Sequence, residues 1–257
     1  MMQIHKPSLF DRLPDAILFD TDNTLYAYEP AHAAAMAAVR EKVVRTFSID
    51  ATAFDEAFAT ARKEVKARLK RTAASHSRLL YMQRMLEIIG LGSQVMLALD
   101  FEQTYWRTFL SRATLFDDVK ELLDDLRLLG VPTVVVTDLT AQIQFRKIVY
   151  FGLDPYFDFI VTSEEAGSDK PDAAPFLIAL EKLDLHSKRI WMIGDDPETD
   201  IAGARREIGA VTLQKLHAGV TRGQGESAPD ASFSEFAQLR RLLSGLAHRH
   251  AHAEAVA

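Results

Sequence analysis

Short apolar runs that stop abruptly on a polar residue dominate the pattern of this chain. Ala16-Ile17-Leu18-Phe19 runs into Asp20, Val134-Val135-Val136 into Thr137 and Asp138, and Ile190-Trp191-Met192-Ile193 into Gly194 and Asp195. Uninterrupted runs of this length fit parallel strands buried on both faces. Chain leaving the carboxyl end of such a strand enters the crevice where open α/β sheets bind ligands. Asp20 and Asp22 lie two positions apart, so in extended chain they point to the same side. Carboxylates held that close repel unless a cation or a proton lies between them. A solvated Asp-x-Asp-Asn turn at a strand end would have the same spelling.

Beyond Phe116 the pattern alternates. Helices are predicted from Asp117/Asp118 to Leu129 and over 141–151, 173–183 and 200–208, and strands over 131–137, 159–162, 189–193 and 211–214. With 16–19 this predicts an α/β fold, a doubly wound parallel sheet of about five strands with right-handed crossovers. The stretch between has no strand signal. Tyr28-Glu29-Pro30 breaks the chain, and helical spacing follows over 31–47, 53–69, 77–89 and 93–110, with Ser93 as a cap for the last. An all-helical block there reads as an inserted subdomain. The expected division is a core of 1–27 and 113–247, a helical insert of 28–112, and a tail of 248–257. Another helix is expected over 232–246, after a loop over 219–230. His248, His250 and His252 lie in the Ala-rich tail with no partner carboxylate and read as a frayed terminus, not a metal site.

Composition narrows the function. The chain has 257 residues, a net charge of −6 and 48% apolar residues. Such a balance suits a soluble globular protein and argues against a nucleic-acid polymer or an anionic membrane as partner, though not against a local basic pocket. No cysteine is present, which removes disulfides, thiolate nucleophiles and Cys-based zinc sites. No run approaches the length of a membrane span, and the first ten residues are too polar for a signal peptide. A cytoplasmic protein, monomer or homodimer, is expected.

Three further stations accompany the opening acids. The Thr137 hydroxyl at a strand end can donate to a phosphate oxygen, and Asp138, which follows it, is a candidate for the same substrate- and phosphate-binding site. Lys170-Pro171-Asp172 precedes a helix; Pro171 restricts Lys170, and a lysine fixed there aims a point charge at an anion. Finally, Gly194-Asp195, four residues and then Asp200 end a strand and begin a helix with Ile201-Ala202-Gly203-Ala204. Gly194 is expected to allow a sharp turn, and Asp196 is a possible accessory acid.

Asp20-Thr21-Asp22-Asn23-Thr24, Thr137, Lys170-Pro171 and Gly194-Asp195-x4-Asp200, in this order, resemble the motifs of the haloacid dehalogenase-like superfamily, and the insert resembles its helical cap. The departure is Asp138, where many relatives carry Asn. The resemblance implies Asp20 as nucleophile forming an aspartyl-phosphate, and Asp22 as acid and base, with a pKa above that of Asp20. It implies Mg2+ held by Asp20, the backbone carbonyl of Asp22 and Asp195, with Asp200 orienting water on the metal, and Thr137 and Lys170 on the phosphoryl oxygens. Asp22-Asn23-Thr24-Leu25-Tyr26 looks like the phosphatases that include pyrimidine 5′-nucleotidases. That implies a phosphomonoester hydrolase acting on a small phosphorylated metabolite, a nucleoside monophosphate or a sugar phosphate. A sugar phosphomutase and a non-catalytic phosphate-binding relative are the alternatives; the dehalogenase branch, which needs no metal, does not fit two acids plus Gly-Asp. Tyr28, His32, Arg68, Arg71, His76, Arg78, Tyr81 and Arg84 are the insert's candidates to face the site, although the basic run 68–84 reads as a solvated helix face.

Overall fold

The computed structural model describes residues 2–184 and 189–256. Its strands are β1 (Gln3–Ile4), β2 (Ala16–Phe19), β3 (Thr133–Thr137), β4 (Phe159–Thr162), β5 (Ile190–Gly194), β6 (Val211–Lys215) and β7 (Ala231–Phe233). They form one sheet in the order β1-β7-β6-β5-β2-β3-β4. All neighbours are parallel except β1 with β7. Side-chain alternation divides the core between two faces. Leu18, Val134, Val136 and Met192 pack with Phe176, Ala179 and Ala204 on one side. Ile17, Phe19, Val135, Trp191 and Ile193 pack with Leu122, Leu126, Ile148 and Leu243 on the other.

The sheet is wider than the predicted five strands. β7 and β1 are three and two residues long, too short for a period-2 pattern to register. Pairing creates them: Ala231 sits in register with Leu213, and Gln3 with Ser232.

Between β2 and β3 lie α1 (Tyr28–Phe47), α2 (Ala51–Leu69), α3 (Arg78–Ile88) and α4 (Val95–Arg112), the inserted helical subdomain. Its seam sets small against large. The buried stripe of α1 is Ala31, Ala35, Val39 and Val43, while α4 contributes Phe101, Tyr105 and Phe109 one turn apart. Pro30 does not delay α1, because a first-turn N–H has no intrahelical partner to lose. Instead the Asn23 side-chain oxygen accepts from the Tyr28 N–H at 3.0 Å. Ser93 does not cap α4, which is preceded by Gln94 with no side-chain cap bond. The insert leaves and rejoins the core at one place: Tyr26 bridges Leu115, and the Phe116 N–H donates to the Leu25 carbonyl at 2.9 Å.

Around the sheet run α5 (Val119–Leu128), α6 (Ala141–Phe151), α7 (Ser163–Ala166), α8 (Ala173–Lys182), α9 (Gly203–Ile208) and α10 (Phe236–Val256). A π-helical turn, Pro197–Ala202, precedes α9 where a single helix from Asp200 was expected. The expected tail is also corrected. α10 carries its backbone through to Val256, since Ala-rich sequence after Gly245 has nothing to stop it. The side chains of His250 and His252 lie outside the described residues.

Phe101 is fully buried in the seam of the insert. Phe101→Ala is expected to lower unfolding stability by about 3–5 kcal/mol, measured by urea denaturation.

Candidate active site

β2 is the strand where the connections reverse direction, with β5 on one side and β3 on the other. Such a switch point opens a crevice at the carboxyl edge of the sheet. Asp20 stands there at the end of β2, its N–H donating to the Ile193 carbonyl at 2.9 Å. Asp195 follows β5, and Asp200 comes from the π-turn beyond it. Ligand oxygens of Asp20, Asp195 and Asp200 lie within 4.8 Å of one another. Lys170 Nζ is 2.7 Å from Asp20 Oδ1 and 2.6 Å from Asp200 Oδ1, with both side chains buried. One ammonium among three carboxylates leaves an excess of negative charge. Burial raises the Asp20 carboxyl to about 7, against the pull of Lys170 and with repulsion from Asp200 and Asp22. Burial, then Asp200 and Asp20, push Asp195 up to about 9. Asp200 is raised too, by burial. An all-oxygen donor set with surplus negative charge suits a hard divalent cation.

Asp22 behaves differently from expectation. Its carboxylate accepts from Lys147 Nζ at 2.7 and 3.0 Å and from the Tyr26 hydroxyl. Although burial opposes it, the Lys147 charge leads in holding its pKa below the usual range, with Tyr26 and Arg78 assisting. The acid expected to be raised above Asp20 is therefore lowered, and its side chain lies outside the carboxylate cluster. The cause is Lys147, an apparently ordinary lysine of α6 that is 2% exposed. Nothing in the local sequence marks Lys147, which sits on a helix that starts four residues beyond Thr137.

The other stations are braced. Thr137 Oγ1 lies 2.8 Å from Thr21 Oγ1 and accepts from Gln144 Nε2 at 2.8 Å. Asp138, the unusual acid, turns its carboxylate to the Lys170 N–H at 2.9 Å, fixing the backbone of that lysine. Burial raises it to about 6, partly offset by Lys170. Asp196 is a cap: its Oδ1 accepts from the N–H groups of Glu198 and Thr199, both at 2.8 Å. Gly194 does not have the left-handed backbone a sharp turn would require. It is needed for close approach, because a Cβ there would fall 2.3 Å from Asp200 Oδ2.

Opposite this floor, the insert roofs a cleft of about 450 Å³. Tyr28, His76, Arg78 and Tyr81 line it as the sequence allowed, together with Arg62, Lys66 and Trp106, which it did not single out. The basic run divides. Arg71 pairs with Asp172, and Arg84 with Glu64 and Glu87, away from the cleft. Arg68 does not line it. Arg78 alone among those arginines turns inward, stacked on Tyr81, Tyr105 and Trp106 at 5.6, 5.2 and 5.7 Å. His32 stands behind the wall, 2.7 Å from the Tyr105 hydroxyl. Among the described residues no helix is long and apolar enough to cross a membrane.

A family model of the haloacid dehalogenase-like hydrolases matches residues 14–206. The chain is 40% identical over 190 residues, 74% of this chain and 80% of the other, to ribulose-1,5-bisphosphate 5-phosphatase of Halopiger xanaduensis. It is 26% identical to glyceraldehyde 3-phosphate phosphatase of Methanocaldococcus jannaschii, covering 86% and 90% of the two chains. In structure it resembles a 2-haloacid dehalogenase from Pseudomonas syringae, with TM-score 0.72, 25% identity and coverage of 90% and 99%. A HAD phosphatase from Thermococcus onnurineus superposes with TM-score 0.69 at 23% identity, covering 90% and 98%. The chain belongs to the haloacid dehalogenase-like hydrolase family.

The raised acids have a measurable consequence. A carboxyl raised on folding holds its proton more tightly in the folded chain, so its contribution to stability is full below an ordinary pKa of about 4 and is lost as pH rises through the folded value. With Asp20 at about 7 and Asp195 at about 9, the chelated protein is expected to lose stability as pH rises across that window. Added Mg2+ should raise the melting temperature more at the alkaline end than at the acid end, as read by thermal scans with and without chelator.

Proposed function

We propose that this chain is a Mg2+-dependent phosphomonoester hydrolase that turns over a small sugar phosphate through an aspartyl-phosphate. The observation that carries this reading is the convergence of Asp20, Asp195, Asp200 and Lys170 on one buried spot at the switch point of the sheet. It is supported by two of the curated relatives, a ribulose-1,5-bisphosphate phosphatase and a glyceraldehyde 3-phosphate phosphatase, which favours a sugar phosphate over a nucleotide.

Asp20 attacks phosphorus, and the bond to the leaving alkoxide breaks. Lys170, already beside Asp20, and the Thr137 hydroxyl hold the phosphoryl oxygens, with Asp138 fixing the backbone that carries Lys170. Mg2+, held by Asp20, Asp195, Asp200 and the Asp22 carbonyl, would neutralise the carboxylates and spread the phosphoryl charge. Asp22 does the proton work. A phosphate dianion arriving beside it opposes Lys147 and raises its proton affinity, so that in the complex it can carry the proton given to the leaving oxygen. Its ionised form then takes a proton from the water that splits the acyl-phosphate, for which Lys147 and Tyr26 already hold it in place. The non-catalytic alternative requires a broken station, and each expected residue type is present.

Colorimetric phosphate release tests this, on a panel of ribulose 1,5-bisphosphate, ribulose 5-phosphate, glyceraldehyde 3-phosphate and a nucleoside monophosphate. Release is expected with Mg2+ and not with chelator. Asp20→Asn should lower it by several orders of magnitude while the circular dichroism spectrum is retained. Undiminished release from that variant would overturn the nucleophile assignment.

A further inference from the structure

The floor of the cleft is acidic and its roof is basic. Arg62 and Lys66 stand one turn apart on α2, and Arg78 reaches the same cleft from α3. Like charges one turn apart repel, so this arrangement does nothing for the helix itself. Elsewhere in the insert Arg40 pairs with Asp55, Lys42 with Asp100, and Arg84 with Glu64 and Glu87, while other cations without an ion pair among the described residues, such as Lys63 and Arg68, lie outside the cleft. Among the described residues Arg62, Lys66 and Arg78 have no such ion pair. Lys66 is half-buried, and its pKa is lowered by burial and by Arg62 and Arg78, with Asp169 opposing. Arg78 is held rigidly: one nitrogen donates to the His76 carbonyl at 2.7 Å, another bonds the Tyr28 hydroxyl, and three aromatic rings surround it. A preorganised guanidinium with two more cations beside it is a site for an anion.

The phosphate that reacts is already served on the floor by Lys170, Thr137 and the metal. A substrate with only that phosphate would bring its neutral end against three crowded cations. We propose that Arg62, Lys66 and Arg78 bind a second phosphate, so that the enzyme prefers small sugar bisphosphates in which one phosphate reacts and the other anchors. This inference rests on the phosphatase reading for the floor. The cleft, about 450 Å³, is of the size that holds small ligands. The competing account is that these cations attract the acidic floor across the cleft and merely hold the insert down. It predicts the same effect on every substrate.

The test compares ribulose 1,5-bisphosphate with ribulose 5-phosphate, which keeps the reacting phosphate and lacks the second one. For the wild type the ratio of kcat/KM values, bisphosphate over monophosphate, is expected to be at least about tenfold, the factor a single charge-assisted contact supplies. Arg62→Ala/Lys66→Ala should collapse that ratio, with the effect in KM rather than kcat, and Lys66→Arg should largely keep it. A wild-type ratio near one, or a ratio unmoved in the double variant, overturns the second-phosphate site. Calorimetric binding of the two sugars to metal-free protein reads the same preference without turnover. If the wild type releases no phosphate from any sugar, the phosphatase reading fails. Tighter binding of the bisphosphate, lost in the double variant, would still support the anion site, and equal binding would overturn it.

Discussion

One ammonium group shared between two buried carboxylates, with a third beside them, sets the terms for everything nearby. Lys170 holds Asp20 and Asp200 at hydrogen-bond distance, yet it cannot neutralise both of them and Asp195. Breaking a buried pair from one side strands the other charge, at about 3–5 kcal/mol. Neighbouring residues therefore hold this group still. Asp138 ties down the Lys170 backbone, the Asp196 N–H donates to Asp200 Oδ2 at 3.1 Å, and Gly194 leaves room for Asp200. The scaffold is the sheet itself, because β2, β3 and β5 are parallel neighbours whose carboxyl ends all face one crevice.

The cleft is thus polarised. Its floor carries an excess of carboxylates over ammonium groups, and its roof has three cations without ion-pair partners among the described residues. A low-dielectric wall of Tyr81, Tyr105 and Trp106 lies around one of them. Field between such surfaces is focused, and it orients a charged ligand before any short-range contact forms.

The floor was legible in the sequence because parallel strands buried on both faces announce themselves as continuous apolar runs, and the catalytic candidates are the first polar residues after them. Asp20, Thr137 and Asp195 were found that way, and Lys170 through the proline that follows it. Lys147 was not, because a lysine on an amphipathic helix is spelled identically whether it faces water or is buried against an aspartate. Its burial depends on how α6 lies against the loop after β2, which no local pattern encodes. The roof was legible only in part, for the same reason: the solvated-face reading holds for Arg68, Arg71 and Arg84 and fails for Arg78. Arg78 alone of those arginines turns inward, because it packs among Tyr81 of its own helix and Tyr105 and Trp106 of α4. Arg62 and Lys66 passed unremarked. Gly194 was identified as a necessary glycine for a mistaken reason, since the need comes from a side chain six residues onward and not from its own backbone angle. The two short strands β1 and β7 exist only as partners of others, so they left no periodicity to read.

The place where the insert joins the core has implications for how such molecules diversify. Tyr26 and Leu115 are bridged, so more than eighty residues of chain begin and end at a single point on the rim. A different helical cassette with its ends equally close would graft onto the same two positions and leave the cluster of Asp20, Asp195 and Asp200 untouched. The acidic floor and the basic roof are consequently written in separable stretches of the chain, free to change independently.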